Sequence, residues 1–364
     1  MRFTNVSGMP AAWTTGFRRD GREILIVMIK VTYTLPENGQ APAIASEQVA
    51  LVEADRFTGE PGLSAPLYET DFAHGKPACD LLLVGSAHAP GGRPAERVPA
   101  GFQVGSMFKQ LSVIGDRFWQ KRWLGIEASS PEPFIVMPIS YDRAYGGTDR
   151  TKEEEGNPVA YLPNPVGRGY WRYTDLIDGQ PLPNTEETAR SVDSHKADYA
   201  PQSFSPIGRN WAPRSRYAGT YDQDWIETTA PLWPDDFDER CFQAAPADQI
   251  VPYLQGGERV VLFNLTPDGR RIFQLPAQAM PVTFIPYKGH DVTRQAQIDT
   301  LVLEPDAERF TMTWRCVLAL GKSVFDVKET IAGEMSREWH RSRRFPGKPY
   351  YANLAELAGA RRGA

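Results

Sequence analysis

Proline and tryptophan crowd into one half of this chain. Twenty of the 31 prolines and six of the nine tryptophans lie between Pro61 and Pro246. Proline lacks a backbone donor and clashes with the preceding helical turn, so helices cannot dominate there. From Tyr68 to Gln249 the sequence proceeds instead in short polar-aromatic phrases: PLYETDFAHGKPACD, GDRFW, MPISYDRAYGG, NPVGRGYW, PLPN, FSPIGRNWAPRSRYAGTYDQDW and PLWPDDFDERCFQAAPADQ. This pattern predicts a loop-rich stretch. Loops carried on a rigid scaffold hold recognition residues more often than the scaffold itself does.

The scaffold reads as strands on either side. Glu23 to Leu35 (EILIVMIKVTYTL) is rich in β-branched residues. Its Ile29, Val31, Tyr33, Leu35 alternation with Lys30, Thr32 and Thr34 predicts one buried and one wetter face. Ala78 to Ala87, Phe102 to Gly115 and Phe134 to Tyr141 are bounded by Gly or Pro, as strands between turns are. After Pro246, Arg259 to Leu265 and Arg270 to Leu275 flank TPDG, whose Asp268-Gly269 pair suits a hairpin. Met280 to Pro286, Gln297 to Leu303 and Phe310 to Leu320 continue the series. Asp326 to Arg344 and Tyr351 to Arg362 have helical character, and Arg337, Arg341, Arg343, Arg344 and Lys348 make this end basic. The middle segment loses periodicity but keeps its rings, unlike a disordered tract. It is expected to be ordered around its own aromatics, with Asp149 to Gly156 and Thr185 to Ala200 as exposed loops.

The reading is therefore a mainly β protein of sandwich or barrel-like regions, with a long irregular aromatic, Pro- and Gly-rich segment and short C-terminal helices. Its parts are an N-terminal β region (1–134), the irregular segment packed on it (135–245), a C-terminal β region (246–325) and a helical basic tail (326–364).

Composition narrows the function. A net charge of −5 and a pI near 5.7 argue against a protein that binds nucleic acid by neutralising phosphates. The longest apolar run, Ile24 to Ile29, is far below the roughly 20 residues that cross a bilayer, and no apolar leader follows Met1. Cys79, Cys241 and Cys316 are odd in number and widely separated, which fits reduced, mostly buried thiols in a cytoplasmic protein and neither a disulfide framework nor a zinc site.

Catalytic motifs are missing. There is no GxSxG elbow, no HExxH and no GxxxxGK[ST] loop, and His74, His88, His195, His290 and His340 share no ligand spacing. No cofactor is implied. Paired acids remain for a carbohydrate-active hydrolase: Asp222 and Asp224 in YDQDW, and Asp235, Asp236 and Asp238 in PDDFDER. Acids beside Gly and Pro more often cap turns. Arginine forks and large rings are the residue types that dominate protein interfaces. On that ground the partner-binding candidates are Tyr141, Arg143, Tyr145, Trp171, Arg209, Trp211, Arg214, Tyr221 and Trp225. The competing role for each is internal, with Arg stacked on a ring inside the segment.

Taken together, the phrases from PLYETDFAHGKPACDLLLVGSAHAPGG through FKQLSVIGDRFW to PLWPDDFDERCFQAAPADQ resemble the family called domain of unknown function 2169, over roughly Met1 to Leu320. That resemblance implies an adaptor or chaperone of bacterial type VI secretion. Its partners would be a toxic effector, often one bearing a PAAR tip domain, and the VgrG spike onto which the effector is loaded. It supplies no catalytic residues. A structural component of the same apparatus is the other non-enzymatic reading.

Overall fold

In the computed structural model, which describes residues 1–345, 347, 351 and 354–362, the apolar run near the N-terminus forms the longest strand, Glu23–Thr34. It pairs antiparallel with Ala11–Phe17 on one side and with Arg309–Ala319 on the other, setting Ile29 opposite Trp314. Beyond Arg309–Ala319 the six-stranded sheet continues through Gln297–Glu304 and Cys79–Leu83 to Ile250–Val251. Only the Cys79–Leu83 and Gln297–Glu304 pair is parallel in this sheet.

A five-stranded antiparallel sheet runs in the order Thr185–Glu186, Met107–Ile114, Arg97–Val104, Arg259–Phe263 and Arg270–Gln274. A four-stranded sheet adds Arg2–Asn5, Val327–Ala332, Pro281–Pro286 and Val292–Gln295. The main core lies between these sheets. It takes Leu25, Val27, Ile29, Val31 and Tyr33 from the first, Phe102, Leu111, Val260 and Phe273 from the second, and Val282, Phe284 and Ala332 from the third. Each such side chain contributes on the order of 1.5–3 kcal/mol by leaving water. The fold is thus mainly β with packed open sheets, and no barrel closes. Both large sheets draw strands from either side of the irregular segment.

Four sequence expectations change. Ala78 to Ala87 is not one strand but two, Cys79–Leu83 in the six-stranded sheet and Gly85–His88 paired with Val136–Ile139. The alternation in Glu23–Thr34 does not mark a wet face, because Ile24, Ile26 and Met28 pack outward against Leu51 and Phe72, and Lys30 and Thr32 are buried beside them. A strand covered on both faces reads as a continuous apolar run. Phe102 to Gly115 is not one strand: Val104 pairs with Met107 across a two-residue turn whose Gly105 has φ +58°. The helix expected from Asp326 starts only at Arg337, because Val327–Ala332 is held as a strand between Arg2–Asn5 and Pro281–Pro286. Of the basic cluster, Arg343 is tied to Asp291 (2.6 Å), and Lys348 lies outside the described residues. The hairpin at TPDG forms with Arg259 opposite Gln274 and Gly269 at φ +78°.

Candidate functional site

Residues 49–76 and the end of the irregular segment cover the outer face of the six-stranded sheet, while Leu182 to Glu186 of the segment pair along the end of the five-stranded sheet, and buried polar groups fasten them. Asp80, fully buried, accepts from Lys76 Nζ (2.7 Å) and from the backbone amides of Ala244 (2.9 Å) and Ala245 (3.3 Å). Gln249 donates to the carbonyls of Leu81 (2.6 Å) and Phe204 (3.0 Å) and accepts from Lys109 Nζ (2.8 Å). Within the segment, Asn164 Nδ2 bridges the carbonyls of Tyr141 (2.8 Å) and Tyr145 (3.0 Å). Asp149 accepts from the amides of Thr151, Arg172 and Tyr173, and these bonds hold its carboxyl low against the opposing effect of burial. Irregular backbone must still satisfy its buried donors and acceptors, and these side chains do so in place of a ladder.

The rings form two small cores. Trp119, Tyr145, Ile177, Leu182, Val192 and Tyr199 make one, with Tyr161, Tyr170 and Trp171 packed against it. Tyr141, Trp211, Ala65 and Ala144 make the other, Tyr141 and Trp211 meeting edge to face at 5.3 Å. The two stretches expected to be exposed loops are partly interior: Asp149 is buried, and so are Thr185, Glu186, Val192 and Tyr199. Glu186 is buried against Arg117, which explains how a carboxylate can sit in a polar loop and still be inside.

The nine candidate contact residues do not form one surface. Tyr141, Tyr145, Trp211 and Arg214 are buried, so they hold the segment together and are unavailable to a partner. Arg214 grips Glu69 through two bonds of 2.5 Å and also donates to the carbonyls of Cys241 and Ile207. Burial pushes the Tyr141 hydroxyl far above its ordinary pKa, as expected of a ring with no access to water. Arg143 is half-buried on Asn184 (3.0 Å), and Trp171 is half-buried against the Tyr145 cluster. Arg209 is exposed and paired with Asp55 (3.1 Å) and Glu69 (2.7 Å). Tyr221 and Trp225 pack edge to face at 4.7 Å, with Tyr221 half in solvent and Trp225 Nε1 donating to the Leu232 carbonyl.

Three of the five candidate carboxylates serve local turns, and the other two, Asp224 and Asp235, are exposed. Asp222 caps the helix Gln223–Thr228 by accepting from Trp225 N (2.9 Å). Asp236 accepts from the Thr220 amide (2.8 Å) and hydroxyl (2.7 Å), which lowers its pKa. Asp238 accepts from Arg240, both at its amide and at its guanidinium, and is lowered likewise.

A surface feature absent from the candidates is more prominent. Trp119–Arg122 and Gly125–Ala128 form a hairpin with Arg122 opposite Gly125, leaving Trp123 and Leu124 as its two turn residues. They are 93% and 82% exposed. The hairpin is anchored at its base, where the indole of buried Trp119 donates to the Gly169 carbonyl (3.1 Å) and Lys121 bonds to Asp178 and to the Asp175 carbonyl. Leu176, next along, is also exposed. The sequence signal was present in KRWLGI: tight turns ordinarily carry Gly, Asn, Asp or Pro, so a Trp-Leu turn is a departure that local folding does not require.

A family model described as an uncharacterized protein conserved in bacteria (DUF2169) matches residues 20–315. The chain belongs to that family. The matched span includes the whole irregular segment, most of both large sheets and the Trp123–Leu124 hairpin, and it ends within the strand Arg309–Ala319. No curated protein and no solved structure matches the chain. Among the described residues no helix is long and apolar enough to cross a membrane.

Proposed function

We propose that this DUF2169 protein is a non-catalytic adaptor that binds another protein, and that its client is a type VI secretion effector, PAAR-linked in the commonest arrangement, delivered to the VgrG spike. The carrying observation is the Trp123–Leu124 turn: two large apolar side chains held in water at the tip of a hairpin whose base is rigidly built. Adjacent, almost fully exposed apolar side chains are commoner at interaction sites than elsewhere on a surface, and tryptophan is enriched among residues that carry binding energy. Of the acids considered for a hydrolase, Asp222, Asp236 and Asp238 are each occupied in capping, which supports a non-catalytic role for those three. The client-specific part of the proposal rests on the resemblance of the polar-aromatic phrases described above.

The test is co-purification with proteins encoded beside the gene. The wild-type chain is expected to capture a PAAR-bearing effector, and Trp123→Ala/Leu124→Ala to reduce that capture at least tenfold while unfolding at the same denaturant concentration. Full capture by the double variant would move the interface elsewhere, and failure of the wild type to bind any neighbour would overturn the function.

A further inference from the structure

A second feature lies away from the hairpin, where the irregular segment meets the end of the first sheet. A cleft of about 350 Å³ opens between the turn after Ala11–Phe17, the strand ends at Arg294 and Val317, and the stretch Trp233 to Phe242. Its wall is a cage of rings. Trp233 stacks on Phe237 at 4.2 Å and meets Phe242 edge-on at 5.8 Å, while His74 packs against both Trp233 (5.6 Å) and Phe242 (5.5 Å). Trp233 Nε1 donates to the Phe17 carbonyl (2.8 Å), tying the cage to the sheet edge. Gly16 leaves room for the imidazole, since a Cβ there would lie 2.8 Å from it.

The charges around this cage divide into two sets. At its floor, Lys76 is matched by Asp80 and Thr300, and Arg315 by Asp299 and the carbonyls of Asp71 and Ala73. Asp299 sits at the irregularity in Gln297–Glu304 where the register shifts between Ile298 and Thr300. At its mouth, Arg18 and Arg19 have no carboxylate partner among the described residues, and Arg294 donates only to the Val317 carbonyl (2.8 Å). Facing them is Glu239, which has no ion-pair partner among the described residues; Asp236 and Asp238 lie near Arg19 but are engaged by Thr220 and Arg240. Buried His74 Nδ1 likewise has no hydrogen-bond partner among the described residues.

Three guanidinium groups that form no ion pair among the described residues, lining the same cleft as the rings, describe a site for a ligand with an anionic head and a flat apolar body. We infer that this cleft binds a partner polypeptide segment carrying a carboxylate side chain beside an aromatic one, the carboxylate meeting Arg18, Arg19 and Arg294 and the ring entering the cage of Trp233, Phe237 and Phe242. Glu239 favours a singly charged carboxylate over a multiply charged phosphate, because each added negative charge on the ligand adds repulsion from it. This inference deepens the protein-binding reading above and rests on it for the choice of a polypeptide.

The probe is a fluorescein-labelled peptide amide with the core Gly-Glu-Trp-Glu-Gly, followed by fluorescence polarisation against the full chain. Saturable binding is expected, weakened at least tenfold in Arg18→Gln/Arg19→Gln and separately in Arg294→Gln, weakened similarly when both peptide glutamates become glutamine, and reduced by added salt. All three arginines are exposed, so the variants are expected to unfold as the wild type does. Absence of saturable binding at millimolar protein, or equal binding by wild type and both variants, overturns the assignment. The outcome separates from that of effector capture: peptide binding without capture preserves the cleft and removes the adaptor reading, whereas capture unaffected by the arginine variants does the reverse.

Discussion

Arg214 gives the sharpest test of whether the arginine-ring phrases are interior supports. Its guanidinium and the Glu69 carboxylate are 4% and 7% exposed, and the two are joined by paired bonds of 2.5 Å. Arg214→Ala would leave Glu69 buried with Arg209 as its remaining cation (2.7 Å), and would remove the donors to the Cys241 and Ile207 carbonyls. Breaking a buried pair from one side costs about 3–5 kcal/mol, and each orphaned buried acceptor adds about 1 kcal/mol or more. Arg209 offsets part of this, so a net loss of about 3–5 kcal/mol is expected. Arg209→Ala removes a cation that is 44% exposed and should cost about 0–1 kcal/mol despite touching the same carboxylate. Urea unfolding followed by tryptophan fluorescence measures both. Should Arg214→Ala not accumulate in folded form, Arg214→Lys, which keeps the charge but loses the two-pronged grip, is expected to fall between the two. A loss below about 1 kcal/mol for Arg214→Ala, or equal losses at Arg209 and Arg214, would refute the interior role.

Two further outcomes concern Gly146 and His74. Gly146 has φ +147°, and a Cβ there would stand 2.1 Å from the Asn164 carbonyl oxygen, so Gly146→Ala should destabilise by about 3 kcal/mol or more in the same unfolding assay. His74 has its pKa lowered below 6.5, first by burial and then by Arg315, which means the unfolded chain takes up a proton at higher pH than the folded one. Its contribution to stability is therefore present above the unfolded value near 6.5 and is lost as pH falls below it. Between pH values of about 7.5 and about 5.5 the wild type should lose stability, and His74→Gln should lose measurably less; an unchanged slope would show that His74 does not titrate in this range.

The strands were legible because their signal is local. The β-branched content of Glu23–Thr34, and the Asp268-Gly269 turn, act over a few residues and survive into the fold. Apart from the two-residue turn at Gly105, what failed depended on distant partners. Val327–Ala332 is too short to be marked as a strand by its own residues and is held as one by Pro281–Pro286 and by Arg2–Asn5, more than 320 positions away. For the candidate site, residue type pointed to the right segment but not to the right direction. Arginine beside tryptophan serves equally in an interface and in a loop core, and the carboxylate that decides the matter for Arg214, Glu69, lies in a different phrase. Trp123 and Leu124 were discoverable by asking which residues violate turn chemistry, a question that residue enrichment alone does not pose.

The charged layer on the outer face of the six-stranded sheet explains how an irregular stretch can present a defined surface. Lys30 with Asp71 (2.8 Å), Lys76 with Asp80 (2.7 Å) and Arg315 with Asp299 are all buried on the outer face of the six-stranded sheet. Such pairs add little net stability over apolar packing of the same volume, whereas separating one leaves an uncompensated charge at a cost of about 3–5 kcal/mol. An apolar layer would tolerate sliding by a residue or two. This layer does not, because Asp80 must meet Lys76 and the Ala244 and Ala245 amides at once, while Arg315 must reach Asp299 and two carbonyls. The same contacts set the position of the ring cage above Arg315 and fasten Ala244 and Ala245, which follow it in the chain. A surface positioned in advance loses less conformational entropy on binding than one that must be ordered by its partner, so the charged layer acts on recognition through geometry without touching the ligand.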